Sequence, residues 1–188
     1  MSDLSSTRVQ SPLPSGPAPQ RVSKGFYLGS VAAAMGLTII LRLSVVSSTG
    51  ESAGAGTPLM AAACLPMLYG AIVMLVLCYK AWASIQDGYA RTTPGKAVGF
   101  LFIPFFNFYW VFQAIWGFAQ DFNRYTQRHG IPAALLPEGL SLAYVLLFFV
   151  AWIPSLGILA IAESMIGLIL ISQVCDAVNR ISQASRAQ

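Results

Sequence analysis

Five apolar stretches separated by short polar loops constrain this chain most. They cover residues 26–46, 58–82, 97–120, 137–153 and 156–178. Each is about as long as the roughly 17–25 residues that a helix needs to cross a hydrocarbon core of ~30 Å. Hydrophobic residues make up 56% of the chain and charged residues only 10%, whereas about a quarter of a soluble protein is charged. The sequence therefore predicts an all-α, polytopic integral membrane protein.

The termini differ in composition from the apolar region between them. Residues 1–25 are rich in Ser and Pro and contain no apolar run, which predicts a disordered cytoplasmic tail. Residues 26–179 form the predicted helical transmembrane domain, and residues 180–188 a short cytoplasmic tail. We interpret the first apolar stretch, Phe26–Val46, as a retained signal anchor.

The third apolar stretch contains two residues that disfavour a straight helix. Pro104 lacks a backbone donor, and Asn107 brings a polar side chain to the middle of the stretch. We expect a half-helix from Pro94 to about Ile103, a turn through 104–107, and a second half-helix over about 108–120. The alternative is one kinked spanning helix. The fold prediction is four spanning helices plus a re-entrant third segment, with five spans as the alternative.

The basic residues distinguish these two topologies. With a re-entrant third segment, ten of the eleven Lys and Arg residues fall on one side. With a complete crossing, four of the ten move to the other side. Because Lys and Arg are retained on the cytoplasmic side, the re-entrant topology is favoured, with both termini cytoplasmic. The predicted location is the bacterial inner membrane.

Arg42 and Glu163 are the two charged residues buried in apolar sequence, whereas Lys80 and Asp176 lie near the ends of their stretches. Charges within a membrane are costly, and such residues are functional candidates. Both are placed toward the outer leaflet, so they are a candidate intramembrane ion pair. The alternatives are a structural helix–helix contact or an Arg42 side chain that extends to the interface.

Arg91 and Lys96 flank the predicted helix start at Pro94, where Thr93 is the expected N-cap. We expect them to contact anionic lipid headgroups. A phosphate-binding nucleotide loop is excluded by the spacing of the glycines and by the missing Ser or Thr after Lys96. The net charge of +4 is explained by cytoplasmic loops, and no nucleic acid partner is expected.

Small and aromatic residues are the candidates for contacts with a partner. Gly29 and Ala33 lie one turn apart on the first span, and Ala32 and Gly36 form a parallel row, a spacing that lets helices approach closely. Packing within the bundle is the alternative for these rows. The candidate partner surface consists of Gly29, Ala33, Tyr109, Trp110 and Trp116.

No catalytic or metal-binding motif appears, and we expect no enzyme activity and no cofactor. His129, the only histidine, lies in a polar stretch beside Gly130 and is expected to be solvated. Asp121, Glu138 and Asp176 are expected to balance nearby basic residues. The three cysteines lie in apolar stretches without metal-ligand spacing, which favours simple packing roles.

The stretch RTTPGKAVGFLFIPFFNFYWVFQAIWGFAQDFN, residues 91–123, resembles a family of uncharacterised bacterial multi-span membrane proteins. Their pattern is an I-P-x-x-N core followed by an aromatic amphipathic helix. The matching residues are Pro94, Gly95, Ala97, Gly99, Pro104, Asn107, Tyr109 and Trp110. The resemblance implies a membrane protein and no particular activity.

From these features we expect a small accessory, structural or assembly subunit of a membrane complex. Its expected partners are membrane lipids and another membrane protein or a second copy of the chain. The alternative is a small transporter or channel with a polar site at the Pro104–Asn107 break and the Arg42/Glu163 pair.

Overall fold

The computed structural model describes residues 20–49, 58–150 and 159–186. Within these ranges all regular structure is helical, which confirms the all-α class. The α-helices are α1 Lys24–Thr49, α2 Pro58–Ser84, α3 Pro94–Gly99, α4 Phe106–His129, α5 Glu138–Val150 and α6 Leu159–Arg186, and a 3₁₀ turn at Phe100–Phe102 follows α3.

Three helices of the described residues are long and apolar enough to cross a membrane. The segments are Lys24–Leu41, Cys64–Ser84 and Ile161–Arg186. α5 is apolar too, but its 13 described residues span only about 20 Å. The predicted continuation of α5 to Ile153 and the predicted hairpin at Pro154–Gly157 lie outside the described residues. A membrane protein is therefore supported, whereas the fourth span stays a prediction.

The first helix begins where α2 and α6 end. Val22 exchanges two hydrogen bonds of 2.9 Å with the side-chain amide of Asn179, and the Lys24 ammonium lies 2.6 Å from the Asp176 carboxylate. The Lys80 ammonium of α2 lies 5.9 Å from the centre of the Tyr27 ring. α1 therefore runs antiparallel to both helices. We call the end of the bundle where these residues meet the basic end.

The core lies in the half of the bundle nearest the basic end. Its largest fully buried side chains are Trp82, Phe122, Ile85, Ile181, Val145 and Val178. Toward the other end, α1 and α2 expose large apolar side chains, among them Leu37, Ile40, Leu65, Leu68 and Ile72. Such exposed apolar surface is typical of helices that face lipid.

The third segment begins and breaks where its sequence predicts. The Thr93 hydroxyl accepts a hydrogen bond from the Lys96 amide, and Pro94 occupies the first helical turn. The helix tightens into the 3₁₀ turn and ends at Ile103, whose backbone is extended. Phe105 then takes a positive φ of 63°, a conformation that costs free energy for a non-glycine residue.

The second half of this segment is longer than predicted. α4 continues nine residues beyond the expected end at Gln120 and stops at His129, where Gly130 caps it in the left-handed conformation. Phe118, Phe122 and Tyr125 are buried on one face of α4. This helical period of apolar residues extends through the polar stretch 121–129 and explains why the helix does not end there. The predicted C-terminal tail, residues 180–188, is also helical at its start, since α6 continues to Arg186.

The two halves of the third segment fold back on each other. The Trp110 indole nitrogen donates to the Ala97 carbonyl at 3.0 Å, and the rings of Phe100 and Trp110 lie 4.7 Å apart, edge to face. α3 and its 3₁₀ turn thus run antiparallel to the first part of α4. We call residues 91–121 the broken hairpin.

The connection from α4 to α5 is held by one buried side chain. Asn123 donates to the Leu136 carbonyl at 2.9 Å and to the Glu138 carboxylate at 3.1 Å, and its oxygen accepts from the Leu136 amide at 2.7 Å. Farther along, Phe149 stacks on Phe112 at 5.7 Å. α5 therefore runs antiparallel to α4, away from the basic end.

Candidate functional site: the broken hairpin and its lock

The two ends of the broken hairpin are joined by an arginine and an aspartate. The Arg91 amide donates to Asp121 Oδ2 at 2.9 Å, and its Nε and Nη2 donate to Asp121 Oδ1 at 3.0 and 2.9 Å. Arg124 adds a weaker ion pair, with Nη1 3.6 Å from Asp121 Oδ1. Residues 91 and 121, the two ends of the broken hairpin, therefore lie side by side.

We call this Arg91–Asp121 ion pair the lock. It is partly buried, and the arginine lies against a glycine. The Asp121 side chain is 6% exposed and that of Arg91 28%. The Arg91 guanidinium crosses α4 directly over Gly117, where an added Cβ would lie 2.9 Å from Nη1. A larger residue here would push the guanidinium away from α4, so glycine permits the close approach of the arginine to the helix.

Polar side chains extend the lock along α4 toward the tip of the hairpin. Arg91 donates to Gln113 Oε1 at 3.1 Å and to Gln120 Oε1 at 3.0 Å. Gln113 in turn donates to the Tyr109 hydroxyl at 3.0 Å. Residues 109, 113, 117 and 121 are spaced by one helical turn, so they form one face of α4.

The candidate headgroup residues have different surroundings. Arg91 uses Nε, Nη1 and Nη2 for contacts within the chain, so few of its donors remain for a lipid. Lys96 is exposed in the first turn of α3. The role of both residues in lipid binding stays a prediction, and the geometry favours Lys96.

A second ionic cluster joins the loop after α2 to the end of α4. Arg128 Nη2 lies 2.7 Å and His129 Nε2 3.3 Å from Asp87 Oδ2, and the Asp87 side chain is only 3% exposed. Burial alone raises the pKa of Asp87, but hydrogen bonds, led by that from Arg128, outweigh it and lower the pKa below its ordinary value. Burial and the nearby Asp87 charge raise the pKa of Tyr125 to about 12.

His129 differs from its sequence interpretation. It is the last residue of α4, its side chain is 8% exposed, and its ring lies 4.5 Å from that of Tyr125. The expectation of a solvated histidine was therefore wrong. Its partner Asp87 lies 42 positions away in the chain, a distance over which local composition carries no signal.

The basic end gathers most of the charge in the described residues. Nine basic residues lie there, namely Arg21, Lys24, Lys80, Arg91, Lys96, Arg124, Arg128, Arg180 and Arg186. Four acidic residues accompany them, namely Asp87, Asp121, Glu138 and Asp176. As expected from the sequence, Asp121 and Asp176 pair with basic side chains, whereas Glu138 accepts from Asn123.

The tip of the broken hairpin exposes aromatic residues. Phe105 is 87% exposed, and Phe102, Phe108 and Tyr109 are exposed as well. Within the described residues, the side-chain oxygen Oδ1 of Asn107 is buried and has no hydrogen-bond partner.

The other predicted partner residues divide into exposed and half-buried positions. Trp110 and Trp116 are half-buried, and the Trp110 indole is engaged inside the hairpin. Gly29 and Ala33 are exposed on α1, and the space beside Gly29 is open. α1 instead contacts α2 through Ala34. The Cβ of Ala34 lies 3.3 Å from the position that a Cβ added to Gly70 would take.

The proposed ion pair is described only in part. Arg42 belongs to α1, but its side chain lies outside the described residues. Glu163 is half-buried on α6 and interacts with Tyr144 of α5. Tyr144 also packs closely on α6, since a Cβ at Gly167 would lie 2.9 Å from its ring. The Arg42/Glu163 pair stays a prediction.

Comparison with protein-family models, curated proteins and solved structures finds no match to this chain. The resemblance of residues 91–123 to a bacterial membrane family therefore stays a prediction. Among the described residues, no group of three His, Cys, Asp or Glu side chains is placed to hold a metal ion. The Arg91–Asp121 pair can hold the broken hairpin in one conformation, with aromatic side chains exposed at its tip.

Proposed function

We propose that this chain is an accessory or assembly subunit of a complex in the bacterial inner membrane. The observation that carries the proposal is the broken hairpin, whose exposed aromatic tip is held in place by the Arg91–Asp121 lock. A locked hairpin presents the same surface to every partner, and aromatic residues are enriched where proteins bind each other.

We further propose that the basic end faces the cytoplasm. Nine basic residues against four acidic ones lie there, and the positive-inside rule places such an end on the cytoplasmic side. Because both ends of the broken hairpin lie at the basic end, the segment enters and leaves on that side. α3 and the 3₁₀ turn together are about 15 Å long, roughly half of the hydrocarbon core. We assign the fourth span, for which the sequence predicts Pro137–Ile153, to the segment that contains α5.

The partner surface that we propose combines two regions. Phe105 and Tyr109 form the tip of the hairpin, and Gly29 and Ala33 form a small-residue row on α1 that is not used for packing against α2. Rows of small residues allow a second helix to approach closely within a membrane.

A small transporter or channel has less support. The unpartnered Asn107 oxygen at the break favours it, because broken helices form polar sites in transporters. A solute path, however, needs several polar groups at one depth, and Glu163 faces Tyr144 across α5 and α6. If Asn107→Leu and Glu163→Gln abolish a solute flux while the protein still folds, the transporter interpretation replaces our proposal.

Photo-crosslinking tests the subunit proposal. A photoreactive phenylalanine analogue is placed at Phe105 or Tyr109 in the native membrane, and Ile72, an exposed residue of α2, is the matched control position. We expect a stoichiometric protein adduct from the two hairpin positions and lipid adducts from Ile72. Lipid adducts alone at all three positions would contradict the proposal. Adducts only with copies of this chain would establish self-association instead.

A further inference from the structure

A cavity of about 80 Å³ lies among α2, α4, α5 and α6. Its wall includes Met74, Cys78 and Trp82 of α2, Ala119 of α4, Tyr144 of α5 and Gly167 of α6. Apolar atoms form nearly all of the wall. The cavity is several times larger than the space that one water molecule needs, and protein interiors contain few such voids.

The polar groups in the wall are already committed to partners within the chain. The Trp82 indole nitrogen donates to the Ala114 carbonyl at 3.1 Å, and the Ser141 hydroxyl donates to the Pro137 carbonyl at 3.2 Å. Tyr144 interacts with Glu163. A buried water molecule needs two to four polar partners, so this wall suits an apolar occupant.

The cavity is partly open to the outside of the bundle. Trp82 and Leu136, which line it near the basic end, are buried. Met74 and Tyr144, which line it farther along the helices, are partly exposed, and so is Val174 of α6, which lies nearer the basic end. Six to eight residues of helix separate the two ends, or roughly 9–12 Å. These partly exposed residues belong to apolar parts of the helices, so the cavity opens onto apolar surface rather than among the charged residues.

We propose that this cavity binds the end of an acyl chain of a membrane lipid. The inference rests on the membrane placement in the proposed function, because that placement sets the mouth within the hydrocarbon core. Acyl chains are the abundant apolar molecules at that depth, and a chain end is flexible enough to enter a narrow mouth. Lipid bound in this way completes the packing between α2 and the other three helices.

Quenching of Trp82 fluorescence by brominated lipid tests the proposal. Trp110, Trp116 and Trp152 are replaced by Phe, which leaves Trp82, a side chain with 0% exposure, as the single tryptophan. The protein is reconstituted in phosphatidylcholine vesicles whose acyl chains are either unmodified or brominated midway. We expect weaker Trp82 emission in the brominated vesicles, because bromine quenches only at close range.

A cavity-filling substitution identifies the route of quenching. Ala119→Leu adds three carbon atoms to the wall and should restore the emission, whereas Ala71→Leu, at an exposed position on α2, should leave the quenching unchanged. If Ala119→Leu does not fold, Cys78→Leu at the half-exposed part of the wall replaces it. Equal Trp82 emission in both vesicles, or quenching that persists in the folded filled variant, would overturn the proposal.

A tryptophan on the outer surface separates this result from the membrane placement. In the same background, with Trp82 also replaced by Phe, Ile72→Trp puts the reporter on an exposed part of α2. Brominated lipid should quench it whether or not the cavity binds a chain. Loss of quenching at Ile72→Trp would refute the membrane placement, whereas loss at Trp82 alone would refute only the lipid site.

Discussion

Removal of the Arg91 side chain tests the lock of the broken hairpin. Arg91→Ala deletes two charge-assisted hydrogen bonds to Asp121, of 3.0 and 2.9 Å, and leaves a carboxylate that is only 6% exposed. Loss of one partner from a buried ion pair costs about 3–5 kcal/mol. Because Arg91 is 28% exposed and Arg124 stays nearby, we expect about 3 kcal/mol, the lower end of that range.

Thermal unfolding in detergent measures this cost. For a chain of this size 1 kcal/mol corresponds to roughly 2–4 °C, so Arg91→Ala should lower the Tm by roughly 6–12 °C. Arg180→Ala, at an exposed position of α6, is the control and should change the Tm little.

A double-mutant cycle shows whether the loss belongs to the pair. Once Asp121→Asn has removed the buried charge, Arg91→Ala should cost about 1.5 kcal/mol less than it does alone. Two results would refute the argument that the residues form a partly buried lock. One is that the free-energy costs of the two single variants sum to that of the double variant within about 0.5 kcal/mol, and the other is that Arg91→Ala alone costs less than about 1 kcal/mol.

Three further predictions concern residues around the lock and the loops. Gly117→Ala should cost about 1 kcal/mol, because its Cβ would lie 2.9 Å from Arg91 Nη1 and displace the guanidinium from Asp121. In the Arg91→Ala background the same change should stabilise the protein by up to about 1 kcal/mol in thermal unfolding, because Ala is preferred to Gly inside a helix. Asn123→Ala removes three hydrogen bonds to residues 136–138 and should cost about 2–3 kcal/mol, compared with almost no change for the exposed control Gln127→Ala. The pKa of Asp87 is lowered in the fold from 3.8, so its ionised form stabilises the protein above that pH and the benefit is lost as the pH falls through the folded pKa. The Tm difference between the wild type and Asp87→Asn should accordingly be full at pH 7 and shrink only as the pH falls below 3.8, and a difference that stays constant there would contradict the assignment.

The break in the third segment could be predicted because its cause is local. Pro104 cannot donate a backbone hydrogen bond, and the Thr93-Pro94 pair marks a helix start in any context. The end of α4 could have been predicted too. The apolar residues Phe118, Phe122 and Tyr125 continue the helical period past Gln120, but the polar residues between them obscured it.

The partners within the lock could not be predicted from the sequence alone. Arg91 and Asp121 are 30 positions apart, and many acidic and basic pairs in the chain would satisfy simple charge balance. The spacing of Tyr109, Gln113 and Gly117 by one helical turn would have indicated a common face of α4. Nothing in that spacing, however, identifies Arg91 as the residue that crosses it.

The side from which the broken hairpin is accessible tests the central claim most directly. In a chain whose three native cysteines are replaced by Ser, single cysteines are placed at Lys96, near the first end of the hairpin, and at Arg124, just past its last residue. A third is placed at Ser52, in sequence between α1 and α2, as a control for the opposite side. They are labelled with a membrane-impermeant maleimide in right-side-out and inverted vesicles. The account predicts that Lys96→Cys and Arg124→Cys react from the same side, which is opposite to that of Ser52→Cys. Reaction of Lys96→Cys and Arg124→Cys from opposite sides would show that the segment crosses the membrane and would contradict the account.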